Sequence, residues 1–120
     1  MARFLAGHAG VAQVNYPGLD SHPRHQRAEE LFDGCSGVLS FEPRGGVKGA
    51  ERFVERVAIP IKAPSLGGVE SLVTRPATTS HSGMAAADRQ KLGISDSLIR
   101  VSVGLEATED LIEDFDQALR

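Results

Sequence analysis

The stretch Leu98-Ile99-Arg100-Val101-Ser102-Val103 is the clearest β-strand signal in the chain. Its side chains alternate between two faces, so Ile99, Val101 and Val103 point one way and Arg100 points the other. One face is therefore expected to lie on a core, while the other carries an arginine in mid-strand. A guanidinium held there suits a two-point grip on a carboxylate or a phosphate. The pattern alone also allows an arginine on a solvated sheet face.

Hydrophobic periodicity predicts the other elements around this strand. Further strands are predicted at Gly37–Glu42, Ala58–Ile61 and Ser71–Thr74, and helices at His22–Asp33, Val47–Val57 and Thr108–Leu119. The residues expected to face the core from the helices are Ala28, Leu31, Phe32, Val47, Ala50, Phe53, Val54, Val57, Leu111, Ile112, Phe115 and Leu119. Ser21 and Thr108 are expected to cap the first and last of these helices.

The short connection through Ser65 favours a largely antiparallel sheet, because a parallel pair usually needs a longer crossover. We therefore predict an α+β fold: a two-layer sandwich with about four strands and helices on one face. The stretch from Val11 to Tyr16 is expected to be extended and to close in a turn at Pro17-Gly18. Residues 2–9 could be the tail of a helix, and the lack of a cap there suggests a missing upstream segment.

Length and composition indicate one domain with an ordinary core, since the chain has 120 residues, 41% of them hydrophobic and 24% charged. The net charge of −3 and the absence of a basic block argue against nucleic acid as a partner. No apolar run approaches the length of a membrane span. The single cysteine, Cys35, fits a reducing compartment, so a cytoplasmic location is expected.

Several other residues could carry chemistry, but each also has an ordinary structural explanation. Ser65 lies beside Gly67-Gly68, which could bind an anion or simply form a tight turn. The run His81–Ala86 could open a phosphate-binding helix, although it lacks the lysine of such loops. His22 and His25 share a helix face, yet no paired spacing supports a metal site, and none is expected. The acidic residues of the last helix are expected to form its start and a solvated face; they are Glu109, Asp110, Glu113, Asp114 and Asp116.

Short motifs with a characteristic order run along nearly the whole chain. They are Tyr16-Pro17-Gly18-Leu19, Ser21-His22-Pro23 with His25, Gly37-Val38-Leu39-Ser40-Phe41, Ser65-Leu66-Gly67-Gly68-Val69-Glu70-Ser71-Leu72, Pro76-Ala77-Thr78-Thr79-Ser80-His81 with Arg89, Gly93-Ile94-Ser95-Asp96, Leu98 to Glu106, Glu109-Asp110-Leu111-Ile112 and Gln117-Ala118-Leu119. Together they resemble the small carboxy-terminal domain of the Cys/Met-metabolism family of pyridoxal-phosphate enzymes. The resemblance implies that this domain, residues 1–120, belongs to a longer enzyme.

The resemblance also implies roles for particular residues. Arg100 is expected to bind the α-carboxylate of an amino-acid substrate, Ser65 to help position that carboxylate, and Ser80 to lie near the same site. Pyridoxal 5'-phosphate is expected to be held by a large N-terminal domain. The lysines of this chain, Lys48, Lys62 and Lys91, all lack the Ser-x-Thr-Lys context of the Schiff-base lysine. No catalytic or cofactor-binding residue is therefore expected here, and the chain alone should be inactive.

The residues around the serine motif favour one branch of the family. Ala63-Pro64-Ser65, together with Val38–Glu42, resembles plant-type cystathionine gamma-synthases, which replace the γ-substituent of an O-acylhomoserine by cysteine. Many synthases and gamma-lyases of bacteria and animals have glutamate in place of Pro64. Methionine gamma-lyase and cystathionine gamma-lyase are the alternatives, and a non-catalytic binding module is an alternative of another class. The expected partners are an amino-acid substrate, the N-terminal domain and further copies in a homotetramer.

Overall fold

The computed structural model describes all 120 residues, which form five strands, five α-helices and one short 3-10 turn. In chain order the elements are α1 (Ala2–Gly7), β1 (Val11–Asn15), α2 (His25–Leu31), β2 (Val38–Pro43), α3 (Gly46–Arg56), β3 (Ile61–Lys62), β4 (Leu72–Thr74), the 3-10 turn (Pro76–Thr78), α4 (Ala86–Lys91), β5 (Ile99–Ser102) and α5 (Thr108–Leu119). No helix is both long enough and apolar enough to cross a lipid bilayer.

The five strands form one sheet in the order β1-β2-β5-β4-β3. All neighbouring strands are antiparallel except β3 and β4, which are parallel. The connection through Ser65 joins these two strands, so the expectation that its shortness favours antiparallel pairing is wrong for this pair. The strand predicted around Arg100 is β5, at the centre of the sheet. The predicted α+β sandwich is confirmed, but the sheet has five strands because the extended stretch that begins at Val11 pairs with β2. That pairing is long-range, and periodicity does not reveal it.

The hydrophobic core lies between one face of the sheet and three helices. Phe41 of β2 and Ile99 of β5 are fully buried against Phe53 of α3 and Phe115 of α5. The ring centroids of Phe41 and Phe53 are 5.1 Å apart, and those of Phe53 and Phe115 are 5.2 Å apart. Leu5 places α1 on the same core. The alternation predicted for β5 is therefore confirmed, and the opposite face of the sheet is left free of these helices.

The second helix differs from its prediction. It covers only His25–Leu31, and Ser21 makes no capping hydrogen bond to it. Of its predicted core residues only Ala28 is buried, while Leu31 and Phe32 are 57% and 60% exposed. This short helix lies at the periphery, so its apolar end has no element of this chain to cover it. Spacing identifies an apolar face but not whether another element packs on it.

Smaller corrections concern the other two predicted helices. Val47 is 40% exposed, because it lies in the first turn of α3 beyond the edge of the core. Val54 and Ile112 are only partly buried. Thr108 is the first helical residue of α5, and Ala107 occupies the N-cap position without a side-chain hydrogen bond.

Asp114 contradicts the expectation of a solvated acidic face on α5. The residue is 8% exposed, and its carboxylate accepts the backbone N–H groups of Ala58 (3.0 Å) and Ile59 (2.9 Å). The side-chain amide of Gln117 donates to it as well, at 3.0 Å. These bonds also explain why β3 begins at Ile61 rather than at Ala58, since the two amide groups donate to Asp114 and not to a neighbouring strand.

We expect Asp114→Ala to lower the free energy of unfolding by about 3 kcal/mol, because charge-assisted bonds are lost and two backbone donors are left without a partner. Urea unfolding followed by circular dichroism measures the change, with Glu113→Ala on the exposed side of α5 as the control. Equal midpoints for the two variants would show that Asp114 does not anchor the segment after α3.

Candidate functional site

A polar row crosses the face of the sheet that lies away from the core. In the strand register, Asn15 of β1 is opposite Ser40 of β2, and Ser40 is opposite Arg100 of β5. On its other side Arg100 is opposite Thr74 of β4. Side chains paired in this way across antiparallel strands have Cβ atoms about 5 Å apart. The sheet therefore presents Arg100 at the centre of a row of hydroxyl and amide groups.

Arg100 is held by backbone and has no anionic partner within the chain. Its Nη2 donates to the carbonyl oxygens of Pro64 (2.6 Å) and Ser65 (2.9 Å), while its Nε is buried without an acceptor. Arg75 and Arg89 also have a buried Nε, but each pairs with a carboxylate, that of Glu51 or of Asp96. A fixed and partly buried guanidinium without a counter-ion is suited to binding an external carboxylate.

A cavity of about 310 Å³ lies beside this guanidinium. Its polar lining is formed by Arg100, Asn15, Ser40, Ser80 and His81. Ser80 Oγ lies 2.9 Å from His81 Nδ1. Two of the residues predicted from the sequence, Arg100 and Ser80, thus line one cavity.

Ser65, the third predicted residue, joins the site through its carbonyl contact with Arg100, and its side chain is exposed. Gly67 has a φ of +82°, a conformation that favours glycine, and its N–H donates to Ser102 Oγ at 2.9 Å. The N–H of Leu105 donates to the carbonyl of Val69 at 2.8 Å. These bonds fix the loop that carries Ser65 against the end of β5, so the position of Ser65 relative to Arg100 is set by the fold.

Glu106 and Ser71 form a second support for this loop, and the sequence analysis did not identify it. The Ser71 N–H donates to one oxygen of the Glu106 carboxylate at 2.7 Å, and the Ser71 hydroxyl donates to the other at 2.8 Å. Ser71 Oγ in turn accepts the N–H of Gly104. The backbone hydrogen bond from Ser71 holds the pKa of the Glu106 carboxyl below its ordinary value. The only sequence signal was that both residues lie within the family motifs.

The lowered pKa of Glu106 predicts the pH dependence of stability. Because the folded state favours the carboxylate, this stabilisation is complete above the ordinary glutamate pKa of about 4.3, and it is lost as the pH falls through the lowered folded-state value. Glu106→Gln should therefore unfold more easily than the parent chain at pH 7, and the difference should shrink as the pH falls below the ordinary glutamate value. Urea unfolding at a series of pH values measures it, with the exposed Glu109→Gln as the control. A difference that does not change with pH would contradict the assignment.

Of the other candidates from the sequence, only His81 lines this cavity. His25 Nδ1 lies 2.7 Å from the Pro17 carbonyl, and its Nε2 lies 3.4 Å from the Glu29 carboxylate. The structure brings together no group of three or more His, Cys, Asp or Glu side chains that could hold a metal ion. The run from His81 leads into α4, a helix of only six residues.

None of the three lysines lines the cavity beside Arg100. Lys91 pairs with Asp88 at 2.9 Å, Lys62 lies 3.5 Å from the Glu55 carbonyl oxygen, and Lys48 is exposed on α3. The residues that surround Arg100 therefore fit a carboxylate, but they do not by themselves fit a cofactor that needs a covalent lysine.

Comparisons with known proteins agree along the whole chain. The family described as "Cys/Met metabolism PLP-dependent enzyme" matches residues 1–120. Cystathionine gamma-lyase of Macaca fascicularis is 48% identical over 120 residues, all of this chain and 30% of that protein. The chloroplastic cystathionine gamma-synthase 1 of Nicotiana tabacum is 45% identical over 119 residues, which are 99% of this chain and 22% of that protein.

A solved structure shows the same fold. Cystathionine gamma-synthase from Xanthomonas oryzae pv. oryzae, in complex with cystathionine, superposes with a TM-score of 0.94 at 44% identity. The match covers 98% of this chain and 30% of that one. The chain thus spans less than a third of the length of the proteins that it matches.

Proposed function

Because the chain belongs to the Cys/Met-metabolism family of pyridoxal-phosphate-dependent enzymes, we propose that it is the domain that binds the substrate α-carboxylate in a sulfur amino-acid enzyme. The observation that carries the proposal is the Arg100 guanidinium, which is fixed by two backbone carbonyls and has no anion of its own. Ser65 and Ser80 are proposed to contact the same substrate group. The amino-acid substrate is the small-molecule partner of this site.

Fixing the carboxylate does more than supply affinity. When bound, pyridoxal phosphate supplies the electron sink for reactions at the substrate's α- and β-carbons. Arg100 and the loop of Ser65 restrict rotation of the substrate, and that restriction selects which bond at its α-carbon is aligned for reaction. The backbone carbonyls of Pro64 and Ser65 hold the guanidinium in place, so little reorganisation is needed when the carboxylate arrives.

Within the family, we propose cystathionine gamma-synthase: γ-replacement on an O-acylhomoserine by cysteine. Ala63-Pro64-Ser65 supports this assignment through its resemblance to plant-type cystathionine gamma-synthases, whereas many gamma-lyases have glutamate in place of Pro64. Cystathionine gamma-lyase is the second candidate, because gamma-lyases of mammals are as similar to the chain as the plant synthase is. Methionine gamma-lyase is a further alternative.

The test is to assay the full-length enzyme that contains this domain for two reactions, γ-replacement on an O-acylhomoserine and γ-elimination from cystathionine. Formation of cystathionine from O-acylhomoserine and cysteine should exceed cleavage of cystathionine by at least about tenfold in kcat/KM, a difference of about 1.4 kcal/mol in transition-state stabilisation. A preference for cleavage would establish the gamma-lyase. If both activities survive deletion of residues 1–120, the result would instead support a non-catalytic binding module.

The remaining parts of the proposal concern the longer protein. We propose that a large domain outside residues 1–120 holds pyridoxal phosphate and its lysine, that the enzyme is a homotetramer and that it works in the cytoplasm. The single cysteine, Cys35, is compatible with a reducing compartment. Size-exclusion chromatography with light scattering tests the oligomeric state.

The chain of residues 1–120 alone should neither attach pyridoxal phosphate covalently nor turn over an amino acid. Lys48, Lys62 and Lys91 all lie outside the Arg100 cavity, and none has the sequence context of a Schiff-base lysine. Mass spectrometry after incubation with the cofactor and reduction by borohydride measures attachment, with free lysine as the reference for non-specific reaction. Stoichiometric labelling of one of these lysines would overturn the prediction.

A further inference from the structure

A directed chain of hydrogen bonds runs from β1 to β2 beside the Arg100 cavity. Gln13 Nε2 donates to Asn15 Oδ1 at 3.0 Å, and Asn15 Nδ2 donates to Ser40 Oγ at 3.3 Å. The Asn15 amide oxygen is therefore engaged on the Gln13 side. Its NH₂ group must then face Ser40.

This direction leaves the Ser40 hydroxyl proton without an acceptor. A serine hydroxyl has one proton to donate, and in Ser40 the oxygen already accepts from Asn15. No hydrogen bond within the chain uses Ser40 Oγ as a donor. The side chain is half-buried and lines the cavity of about 310 Å³ that Arg100 also lines. The O–H group can therefore donate into the cavity.

The hydroxyl of Thr74, on the other side of Arg100, already donates its proton within the chain. Thr79 Oγ1 donates to the Arg75 carbonyl at 2.8 Å, so Thr74 Oγ1 must be the donor in its 2.7 Å contact with Thr79 Oγ1. Ser40 and Thr74 both lie directly opposite Arg100, on β2 and β4. Of these two neighbours, Ser40 is the one whose proton is available to an anion.

We propose that Ser40 donates a hydrogen bond to the carboxylate that Arg100 binds, and that Asn15 positions Ser40 for this contact. The inference rests on the proposed function, since it adds a donor to the same carboxylate. A hydroxyl beside the guanidinium gives the carboxylate a further directed hydrogen bond, in addition to those from the guanidinium. The ligand class is a substrate with a free carboxylate.

The test uses the full-length enzyme and two probes, L-norleucine, which has no leaving group, and its carboxamide. Ser40→Ala should weaken inhibition by norleucine about ten- to a hundredfold, the effect of one hydrogen bond to a charged group, and leave inhibition by the carboxamide within about twofold. KM for the substrate should rise in parallel while kcat changes little. Ser40→Thr keeps a hydroxyl and should retain most of the affinity.

Two further variants show whether Ser40→Ala acts by removing a contact to the ligand or by disturbing the surrounding structure. Asn15→Leu should weaken norleucine binding in the parent enzyme but have no additional effect in the Ser40→Ala background. Ser36→Ala removes a hydroxyl that accepts the N–H of Val38 but does not line the cavity, so it should leave both inhibition constants unchanged.

The outcomes distinguish an error in the role of Ser40 from an error in the proposed function. If Arg100→Ala weakens norleucine binding and Ser40→Ala does not, the role of Ser40 is wrong and the proposed function stands. If neither variant weakens it, the proposed function fails as well. If Ser40→Ala weakens both probes equally, or if Ser40→Thr is as defective as Ser40→Ala, Ser40 is a structural residue and the inference is overturned.

Discussion

Replacing Arg100 by alanine in the full-length enzyme should lower kcat/KM roughly 30- to 1,000-fold. This corresponds to a loss of about 2–4 kcal/mol of transition-state stabilisation. The guanidinium is the one cation that faces the cavity, and its Nη2 is already fixed by the carbonyls of Pro64 and Ser65. Without it, a substrate carboxylate would enter a half-buried site with hydroxyl groups alone to replace its hydration. Steady-state kinetics with the preferred substrate measures the loss.

Two comparisons make the Arg100 result specific. Arg100→Lys keeps the charge but not the planar fork, so it should recover only part of the activity. Arg52→Ala removes an exposed arginine from α3 and should have no effect. Cofactor content, read from absorbance, should remain normal in every variant because the cofactor is proposed to bind to the other domain. Near-normal kcat/KM in a folded, cofactor-loaded Arg100→Ala enzyme would reduce Arg100 to a structural residue.

Gly104→Ala should lower the free energy of unfolding by about 3 kcal/mol, an effect typical of overpacking against rigid backbone. A Cβ at this position would lie 2.5 Å from the backbone carbon of Glu70 and from the nitrogen of Ser71, and it would also collide with the carbonyl of Val69. These atoms cannot easily retreat, since Ser71 is bound to Glu106 and Val69 to Leu105. The strand end and the Ser65 loop must therefore separate.

Thermal and urea unfolding measure this change, and Gly34→Ala is the matched control because a Cβ there meets no atom within 4 Å. A second readout is catalytic. Displacement of the loop should raise KM through the carbonyl contacts to Arg100, even under conditions where the variant remains folded. Equal unfolding midpoints for Gly104→Ala and Gly34→Ala would show that the two segments can move apart at little cost.

The sequence pattern was wrong about the burial of one acidic residue and of two apolar residues. Helical spacing placed Asp114 on a solvated face, because spacing says nothing about a segment that packs there from another part of the chain. Its buried bonds to Ala58 and Ile59 span more than 50 residues. Leu31 and Phe32 show the opposite case, apolar residues that the spacing placed in the core and the structure leaves exposed.

The sequence by itself determined the α+β class, the strand that carries Arg100 and the side of that strand on which Arg100 lies. These follow from the period of two in a β-strand, a local property that depends on neighbours along the chain. The resemblance of the motifs identified the family and pointed to Ser65 and Ser80. Only the tertiary structure decided that β1 joins the sheet, that Ser40 and Asn15 stand beside Arg100 and that Glu106 supports the Ser65 loop. The physical reason is that alternation along the chain defines the two faces of a strand. The neighbours of that strand in the sheet, and their register, depend on long-range pairing and packing.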